Sequence, residues 1–198
     1  MADAKDLRFS EPIAGSQREQ PAALRPAWRR LLPILAVVAV AWFGVGWLAR
    51  VEHRPHLSEG QAPPLQIVGF DGTLIDLVAL RGQGVVVNFW ASWCGPCRAE
   101  AELFEAAWRA EQGQGIVFIG VNRQDRVESA QAFLAEYAVS YPNGPDTAEN
   151  WARRFGVVGL PSTFFIDSQG EIQAVTWGPI TSAGELARQL DKIRPAQP

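Results

Sequence analysis

The sequence contains two cysteines, Cys94 and Cys97, and only Gly95 and Pro96 separate them. Two thiols are too few for a disulfide scaffold or for a four-thiolate zinc site. At this spacing they can form a disulfide with each other and exchange it with the thiols of a partner. A purely stabilising bridge across so short a loop would remove only about 2 kcal/mol of chain entropy. The pair therefore predicts redox chemistry.

Two cysteines at this spacing could also be two of the ligands of a zinc or copper ion, but the sequence does not supply the remaining ligands. There is no second pair of cysteines, and the two histidines, His53 and His56, lie in a polar segment far before the first pair. Zinc and copper sites need further cysteine or histidine ligands. We therefore expect no metal site, and we expect no cofactor.

The residues around the cysteines predict a strand, a short turn and a helix. Residues 85–90 (VVVNFW) are apolar and mostly β-branched or aromatic, which is typical of a buried strand. Residues 98–112 follow with a helical pattern and contain no glycine or proline. Cys94 then lies at the N-terminus of the helix, where free N–H groups and the helix dipole favour a thiolate. Pro96 suits the first helical turn.

A helical wheel of this segment places one acidic residue on the apolar side. Relative to Cys97, the apolar side chains fall on one stripe, and Glu100 falls within that stripe, one turn away. A buried carboxyl group has a raised pKa, so Glu100 is a candidate to move protons for Cys97. The alternative is that Glu100 lies at the edge of the stripe and reaches solvent. The polar side of the wheel holds Arg98, Glu102, Glu105 and Arg109.

The chain after the cysteines alternates between predicted strands and helices. Strands are predicted at residues 116–121, 163–167 and 171–177, the last two joined by a turn at 168–170. The first of these strands should run parallel to residues 85–90, because a helix connects the two. Helices are predicted at residues 126–139, at 146–155 and from Ser182 to about Ile193.

Three blocks of residues match a known pattern together with Glu100. They are APPLQIVGFDGTLIDLVALRG at 62–82, FWASWCGPC at 89–97 and GVVGLPSTFFIDSQG at 156–170. In these blocks the chain resembles thioredoxin-fold proteins, in particular the membrane-anchored TlpA/ResA-like thiol-disulfide oxidoreductases, over roughly residues 61–194. The resemblance implies an α/β thioredoxin fold, with helices around a central mixed β-sheet and an N-terminal β extension. One departure is Glu102, where the family often has proline; the wheel places it on the exposed side.

The resemblance also implies roles for the site residues. Cys94 would be the exposed thiolate that attacks a partner disulfide, and Cys97, assisted by Glu100, would resolve the mixed disulfide. Asn88 stands where thioredoxin has a buried aspartate, and Pro161 would be the cis-proline that faces the cysteines. A partner segment would dock by β-type pairing. The docking surface would comprise Trp93, Gly95, Pro96, Leu160 and Pro161, with a place in the core as the alternative for Trp93.

The N-terminal part of the chain predicts a membrane anchor. Residues 31–49 carry no charge and would form roughly 28 Å of helix, close to the hydrocarbon thickness of a bilayer. The alternatives are a buried core helix and a signal peptide that is cleaved after Ala41. The arginines are concentrated before this segment, so we expect the N-terminus in the cytoplasm and the remainder exported.

These observations divide the chain into four parts. They are a disordered cytoplasmic tail (1–27), a single transmembrane anchor (28–50), a tether (51–62) and a thioredoxin-like domain (63–195). The expected location is the bacterial inner (cytoplasmic) membrane, with the catalytic domain in the periplasm or another extracytoplasmic space. The formal net charge of -3 argues against a nucleic-acid partner.

The expected function is dithiol–disulfide exchange with protein disulfide substrates. Gly95-Pro96 is also the dipeptide of thioredoxin, which favours a reductant. The resemblance suggests a transmembrane electron donor of the DsbD or CcdA kind, and apocytochrome c as a substrate during cytochrome c maturation. Two functions of other classes remain as alternatives, a thioredoxin-fold peroxidase and a non-enzymatic copper chaperone.

Overall fold

A computed structural model describes residues 60–147 and 150–196 of the chain. The predicted tail and anchor and nearly all of the predicted tether lie outside the described residues. Within the described ranges, no helix is both long enough and apolar enough to cross a membrane.

The described part of the chain contains eight strands and four α-helices. The strands are β1 (Gly60–Gln61), β2 (Gln66–Val68), β3 (Leu74–Asp76), β4 (Gly84–Trp90), β5 (Ile116–Asn122), β6 (Asn143–Pro145), β7 (Ser162–Ile166) and β8 (Glu171–Trp177). The helices are α1 (Gly95–Glu111), α2 (Val127–Glu136), α3 (Asn150–Arg154) and α4 (Ala183–Ile193). A short 3₁₀ helix, Val78–Leu80, precedes β4.

Six of the strands form a mixed sheet in the order β1-β8-β7-β4-β5-β6. Strands β4, β5 and β6 are parallel, whereas β7 is antiparallel to both β4 and β8. Strand β1 pairs with the start of β8, and β2 and β3 form a separate antiparallel hairpin. The arrangement confirms the predicted α/β sheet with an N-terminal β extension, and it confirms that residues 116–121 run parallel to residues 85–90.

Strand β4 is buried along its whole length because both faces of the sheet are covered. Side chains alternate between the two faces of a strand. Val85 and Phe89 therefore pack in one apolar cluster, whereas Val86 packs in a second cluster together with Phe104 of α1. Trp90 packs beside the cysteines in a third cluster. An apolar run without polar alternation is what a strand between two covered faces requires.

Two predicted helices are shorter than expected. Helix α2 ends at Glu136 rather than at residue 139, and Ala138 has a φ of 49° that helices do not contain. The helix predicted over residues 146–155 ends at Arg154, and its described part is α3, Asn150–Arg154. The backbone N–H of Asp146 donates to Asn122 O at 2.7 Å, while its carboxylate accepts from the N–H groups of Trp151 and Ala152, each at 2.9 Å. Asp146 thus accepts hydrogen bonds from backbone N–H groups in α3, as the residue that caps a helix does.

The prediction for α1 was wrong at Glu105, which was assigned to the polar side and is only 5% exposed. Its carboxylate accepts from Ser140 N at 2.8 Å, from Ser140 Oγ at 2.7 Å and from Arg109 Nε at 2.5 Å. Burial raises the pKa of Glu105, but these hydrogen bonds outweigh it and leave the pKa below its usual value. A wheel contains only the helix itself, whereas here Ser140, in the loop after α2, supplies two of the three donors.

Candidate active site

The two cysteines form a disulfide at the N-terminus of α1. Their Cα atoms are 5.3 Å apart. Cys94 is the N-cap residue, and its sulfur accepts from the backbone N–H of Cys97 at 3.2 Å. Pro96 lies in the first helical turn, where its missing N–H leaves no hydrogen bond unmade. The predicted strand, turn and helix therefore place the redox pair as expected, at the positive end of the helix dipole.

The expectation that Cys94 is exposed was wrong for this disulfide state. Cys94 is only 4% exposed and Cys97 only 2%, whereas Gly95 and Pro96 between them are exposed. The disulfide belongs to an apolar cluster against which the partly buried Leu160 packs. Bonded to Cys97, the sulfur of Cys94 is directed toward this cluster. The other buried members of the cluster are Trp90, Ala91, Ala101, Ala130 and Phe133.

Glu100 is buried, as the wheel predicted, with only 2% of its surface exposed. The alternative in which it reaches solvent is wrong. Its Oε1 accepts from Asn88 Nδ2 and its Oε2 accepts from the backbone N–H of Ile180, each at 2.9 Å. Burial raises the pKa of Glu100 to about 7, even though both hydrogen bonds act to lower it. Near neutral pH this carboxyl group can therefore accept or release a proton.

Glu100 and Cys97 line one small cavity in the interior. Its volume is about 10 Å³, counted as the space open to the centre of a water molecule, which is close to the smallest volume that can hold one water. Burial raises the pKa of Tyr141 on its wall well above the usual value, so the phenol stays protonated. The cavity connects the thiol and carboxyl positions of the site. Its other lining residues are Asn88, Trp90, Ala101, Phe104 and Phe133.

Asn88 joins three elements at the centre of the site. It lies in the middle of β4 and is only 4% exposed. Its Nδ2 donates to Glu100 on α1 and also to Thr163 Oγ1 on β7, at 3.0 Å. An aspartate here would set a second carboxylate against Glu100, and two such groups cannot easily both be charged. With asparagine, Glu100 titrates without a second acidic partner in this contact.

The residues predicted for docking differ in exposure, and Pro161 among them is buried. Trp93 is 60% exposed, so its alternative assignment to the core is wrong, and its Nε1 donates to Gln124 O at 2.9 Å. The Leu160–Pro161 peptide bond is cis, as the resemblance implied. Leu160 is partly buried against the disulfide cluster, and Pro161 O accepts from Gly178 N at 2.9 Å. Gly95, Pro96 and Trp93 thus form the exposed part of the predicted set.

Sequence reasoning missed the residues that hold the loop before the cysteines. The carboxylate of Asp125 accepts from Ser92 N at 2.6 Å, from Ser92 Oγ at 2.9 Å and from Asn122 Nδ2 at 3.0 Å. A signal was present, because Asn122 ends β5 and Asp125 follows it, and β5 is parallel to β4 and ends at the same edge of the sheet. Polar residues at the carboxyl ends of neighbouring parallel strands commonly meet at a site.

Asn143 was also missed. Its Oδ1 accepts from Trp90 Nε1 at 2.8 Å, and its Nδ2 donates to Tyr141 O at 2.9 Å. Trp90 is stacked on Phe133 of α2, with 4.5 Å between ring centroids. Asn143 therefore fixes one wall of the cavity beside the disulfide. Among the described residues, no group of three or more His, Cys, Asp and Glu side chains could hold a metal ion.

Comparisons with known proteins agree on one group of relatives. A model of the AhpC/TSA family matches residues 59–175. The thiol:disulfide interchange protein HelX of Rhodobacter capsulatus is 34% identical over 170 residues, which cover 82% of this chain and 93% of HelX. The thiol-disulfide oxidoreductase ResA of Bacillus subtilis is 31% identical over 145 residues, 73% of this chain and 80% of ResA. A crystal structure of a putative thiol:disulfide interchange protein DsbE from Chlorobium tepidum superposes with a TM-score of 0.64 at 28% identity, covering 69% of this chain and 97% of that one.

Proposed function

The chain belongs to the AhpC/TSA family and is a TlpA/ResA-like thiol-disulfide oxidoreductase, and from this we propose that it reduces protein disulfides outside the cytoplasm. The proposal assigns the nucleophile to Cys94 and the resolving thiol to Cys97. It assigns proton transfer to Glu100 and partner docking to Trp93 and the Leu160–Pro161 segment. The observation that carries the reducing direction is the buried Glu100 carboxyl group in the cavity that Cys97 lines.

The reaction begins from the reduced pair. The thiolate of Cys94 attacks one sulfur of the partner disulfide, and the other partner sulfur leaves as a thiolate that takes up a proton. Cys97 then loses its proton to the Glu100 carboxylate and attacks the sulfur of Cys94. The second partner thiol is released, and two electrons have passed to the partner. The product is the Cys94–Cys97 disulfide of the structure.

Local charges favour the reducing direction. A strongly oxidising pair requires a stabilised thiolate in its reduced form, which neighbouring positive charges provide. Here the end of α1 stabilises a thiolate on Cys94, but Gly95-Pro96 adds no charge between the cysteines, and no histidine follows His56 in the sequence. The cation that follows Cys97, Arg98, is paired with the carboxylate of Glu136. A negative charge on Glu100 opposes a thiolate on Cys97. The reduced form is therefore only weakly stabilised, as expected of a donor of electrons.

The proposed location rests on the N-terminal sequence, and the proposed partners rest on the resemblance to the TlpA/ResA-like family. The uncharged segment at 31–49 would anchor the chain with its redox domain outside the cytoplasm. A reductant in that oxidising space needs electrons from across the membrane, which a transmembrane donor of the DsbD or CcdA kind would supply. The proposed substrate is an apocytochrome c, whose Cys-x-x-Cys-His haem-attachment sequence must be reduced before haem can be attached.

The deciding experiment is a trap of the full-length chain in the membrane. The Cys97→Ser variant keeps the attacking thiol but cannot resolve, so it should accumulate mixed disulfides on Cys94 that Cys94→Ser does not form. We expect apocytochrome c and a membrane electron donor among the captured proteins. A captured set without any protein of haem attachment would contradict the cytochrome c substrate while leaving the exchange activity intact.

The direction and the alternatives have their own measurements. The reduction potential of the Cys94–Cys97 pair should lie near the thioredoxin value of about -270 mV, and a value near -120 mV would make the protein an oxidant. Consumption of peroxide by the reduced protein, at a rate that competes with disulfide reduction, would support the peroxidase alternative. Tight binding of Cu(I) by the reduced pair would support the copper chaperone.

A further inference from the structure

The loop that precedes the disulfide is held by one carboxylate from a neighbouring loop. Asp125 Oδ2 accepts from the backbone N–H of Ser92 at 2.6 Å, and Oδ1 accepts from Ser92 Oγ at 2.9 Å. The same carboxylate also accepts from Asn122 Nδ2 at 3.0 Å and from Arg126 N at 2.9 Å. Four donors thus converge on Asp125, and hydrogen bonds to a charged group are the stronger ones. The carboxylate ties the residue before Trp93 to the loop between β5 and α2.

The same loop also holds Trp93 itself. Trp93 Nε1 donates to the backbone carbonyl of Gln124 at 2.9 Å. Gln124 has a φ of 49°, which is uncommon for a residue with a side chain and has to be held by its surroundings. Its neighbour Asp125 provides the hydrogen bonds that fix this turn. The position of the carbonyl that binds Trp93 therefore depends on Asp125.

Trp93 combines exposure with a fixed orientation. It is 60% exposed beside the disulfide; its indole N–H donates to Gln124 O, and the backbone N–H of the preceding residue, Ser92, donates to Asp125. A large apolar side chain that is already oriented loses little entropy when a partner covers it. Arg98 Nη1 also donates to Ser92 O at 3.3 Å, which adds a contact from α1. Such a side chain suits the role of an anchor for a protein partner.

We propose that Asp125 is a positioning residue, which fixes Trp93 as the anchor for partner proteins. The inference rests on the docking role of Trp93 under the proposed function and names the residue on which that role depends. Asp125 takes no part in the exchange of electrons. Its contacts are with Ser92, Asn122 and Arg126, whereas the contacts of Glu100 are with Asn88 and Ile180. The two carboxyl groups thus serve separate tasks, docking and proton transfer.

The test is a double-mutant cycle on the full-length chain in detergent, with insulin as the disulfide substrate. Asp125→Asn keeps the size of the side chain but lowers its capacity to accept hydrogen bonds. We expect it to raise KM about fivefold, equivalent to roughly 1 kcal/mol, with kcat changed less than about twofold. Trp93→Ala should raise KM at least as much. The double variant should be no worse than Trp93→Ala alone, because Asp125 acts through Trp93.

The matched control is Asp167→Asn. Asp167 also holds a turn, accepting from Gln169 N and Glu171 N at 2.9 Å, but it lies at the opposite end of β7 from Pro161. We expect its KM to stay at the wild-type value. Ser92→Ala, which removes only the hydroxyl contact, should raise KM in the same direction by a smaller factor, and it decides the matter if Asp125→Asn does not fold.

Three results would overturn the inference. Additive effects in the double variant would show that Asp125 acts independently of Trp93. An unchanged KM with a shifted Cys94–Cys97 reduction potential would assign Asp125 to the electrostatics of the thiols. An unchanged KM in Trp93→Ala would show that Trp93 has no docking role, and that part of the proposed function would then fail together with the inference. If Trp93→Ala raises KM and either of the first two results is found, only the inference fails.

Discussion

Asn88 donates a hydrogen bond of 2.9 Å from Nδ2 to Oε1 of Glu100, and this bond links the middle of β4 to α1 one turn beyond Cys97. The bond favours the charged form of the carboxyl group, as does the second bond from Ile180 N. Burial opposes both bonds and prevails, which leaves the pKa of Glu100 at about 7. The pKa of Glu100 is therefore set by burial against two hydrogen bonds, and a substitution that removes one of these should shift it in a known direction.

Replacing Asn88 should shift the pH profile to higher pH. In Asn88→Leu the hydrogen bond to Glu100 is lost while burial remains, so the pKa of Glu100 should rise above about 7. Because Glu100 accepts the proton of Cys97 only when it is deprotonated, the alkaline rise of kcat should move to higher pH. The measurement is kcat for insulin reduction between about pH 5 and 9.

The control for this shift is Thr163→Val. It removes the other acceptor of the Asn88 amide, at 3.0 Å, and leaves the contact with Glu100 in place. Its pH profile should stay close to that of the wild type. Glu100→Gln should lack the inflection altogether, which identifies the inflection as that of Glu100. A profile that moves toward lower pH in Asn88→Leu would contradict the balance described above.

Glu100 should also make the oxidised protein less stable as the pH rises. The pKa of Glu100 is about 7 in the folded state against 4.5 in the unfolded chain, so between these values the folded protein binds more protons than the unfolded chain. The free energy of unfolding must then fall with increasing pH, by about 3 kcal/mol in total. In Glu100→Gln this part of the pH dependence should vanish, so the stability of the variant relative to the wild type should grow between about pH 4.5 and 7 and stay constant above pH 7.

Urea unfolding of both proteins at pH 5 and pH 8 measures this difference. Glu102→Gln is the matched control, because it makes the same chemical change on an exposed position of the same helix. It should follow the wild type at both pH values. The difference in the free energy of unfolding between Glu100→Gln and the wild type should be larger at pH 8 than at pH 5. An equal difference at the two pH values would contradict a raised pKa of Glu100.

The sequence predicted the reactive residues of the site better than the residues that hold them in position. The Cys94–Cys97 spacing and the single face of α1 sufficed to predict a disulfide at a helix N-terminus with a buried Glu100, because these depend on local periodicity. The contacts of Asn88 and Asp125 join residues 12 and 33 positions apart. Such contacts depend on which strands become neighbours, and periodicity does not carry that information.

The two wrong predictions of exposure, for Glu105 and for Cys94, have a common physical origin. Glu105 is buried because Ser140 in a distant loop folds over it, and Cys94 is buried because the disulfide and the neighbouring loops enclose it. A wheel or a spacing describes one segment at a time. Burial is a property of everything that packs against that segment, so it follows only from the assembled fold.

Glu105 should stabilise the fold, in contrast to Glu100. Burial acts to raise its pKa, but the hydrogen bonds from Arg109 and Ser140 leave the pKa below its usual value. Its contribution is therefore present above the unfolded pKa and is lost as the pH falls through the folded pKa. Glu105→Ala should cost about 2 kcal/mol at pH 7, because it removes the hydrogen bonds that the charged carboxylate accepts from Ser140 and Arg109.

The difference between Glu105→Ala and the wild type should shrink as the protein is acidified toward pH 3. Chemical unfolding at pH 7 and pH 3 measures it. Glu102→Ala provides the comparison on an exposed position and should change the free energy of unfolding by less than about 0.5 kcal/mol. An equal cost for both substitutions at pH 7 would show that the contacts with Ser140 contribute nothing.

Gly120 should be intolerant of any side chain, because of the tie between Trp90 and Asn143. A Cβ added to Gly120 would overlap Oδ1 and Cγ of Asn143 and would lie 2.9 Å from Trp90 Nε1. Gly120→Ala must therefore displace Asn143 and break its hydrogen bond with the buried indole. Overpacking together with an unsatisfied buried donor should cost about 3 kcal/mol.

Gly184→Ala is the control for the chemical change itself. Gly184 lies in the first turn of α4, and an added Cβ there meets nothing closer than 3.7 Å, so the substitution should stabilise the helix by up to about 1 kcal/mol. Thermal unfolding should therefore place the Tm of Gly120→Ala below and that of Gly184→Ala above the Tm of the wild type.

Because Trp90 lines the cavity beside Cys97, Gly120→Ala should also alter the near-ultraviolet circular dichroism of the oxidised protein. A Gly120→Ala variant as stable as the wild type would mean that the hydrogen bond between Trp90 and Asn143 does not contribute to stability.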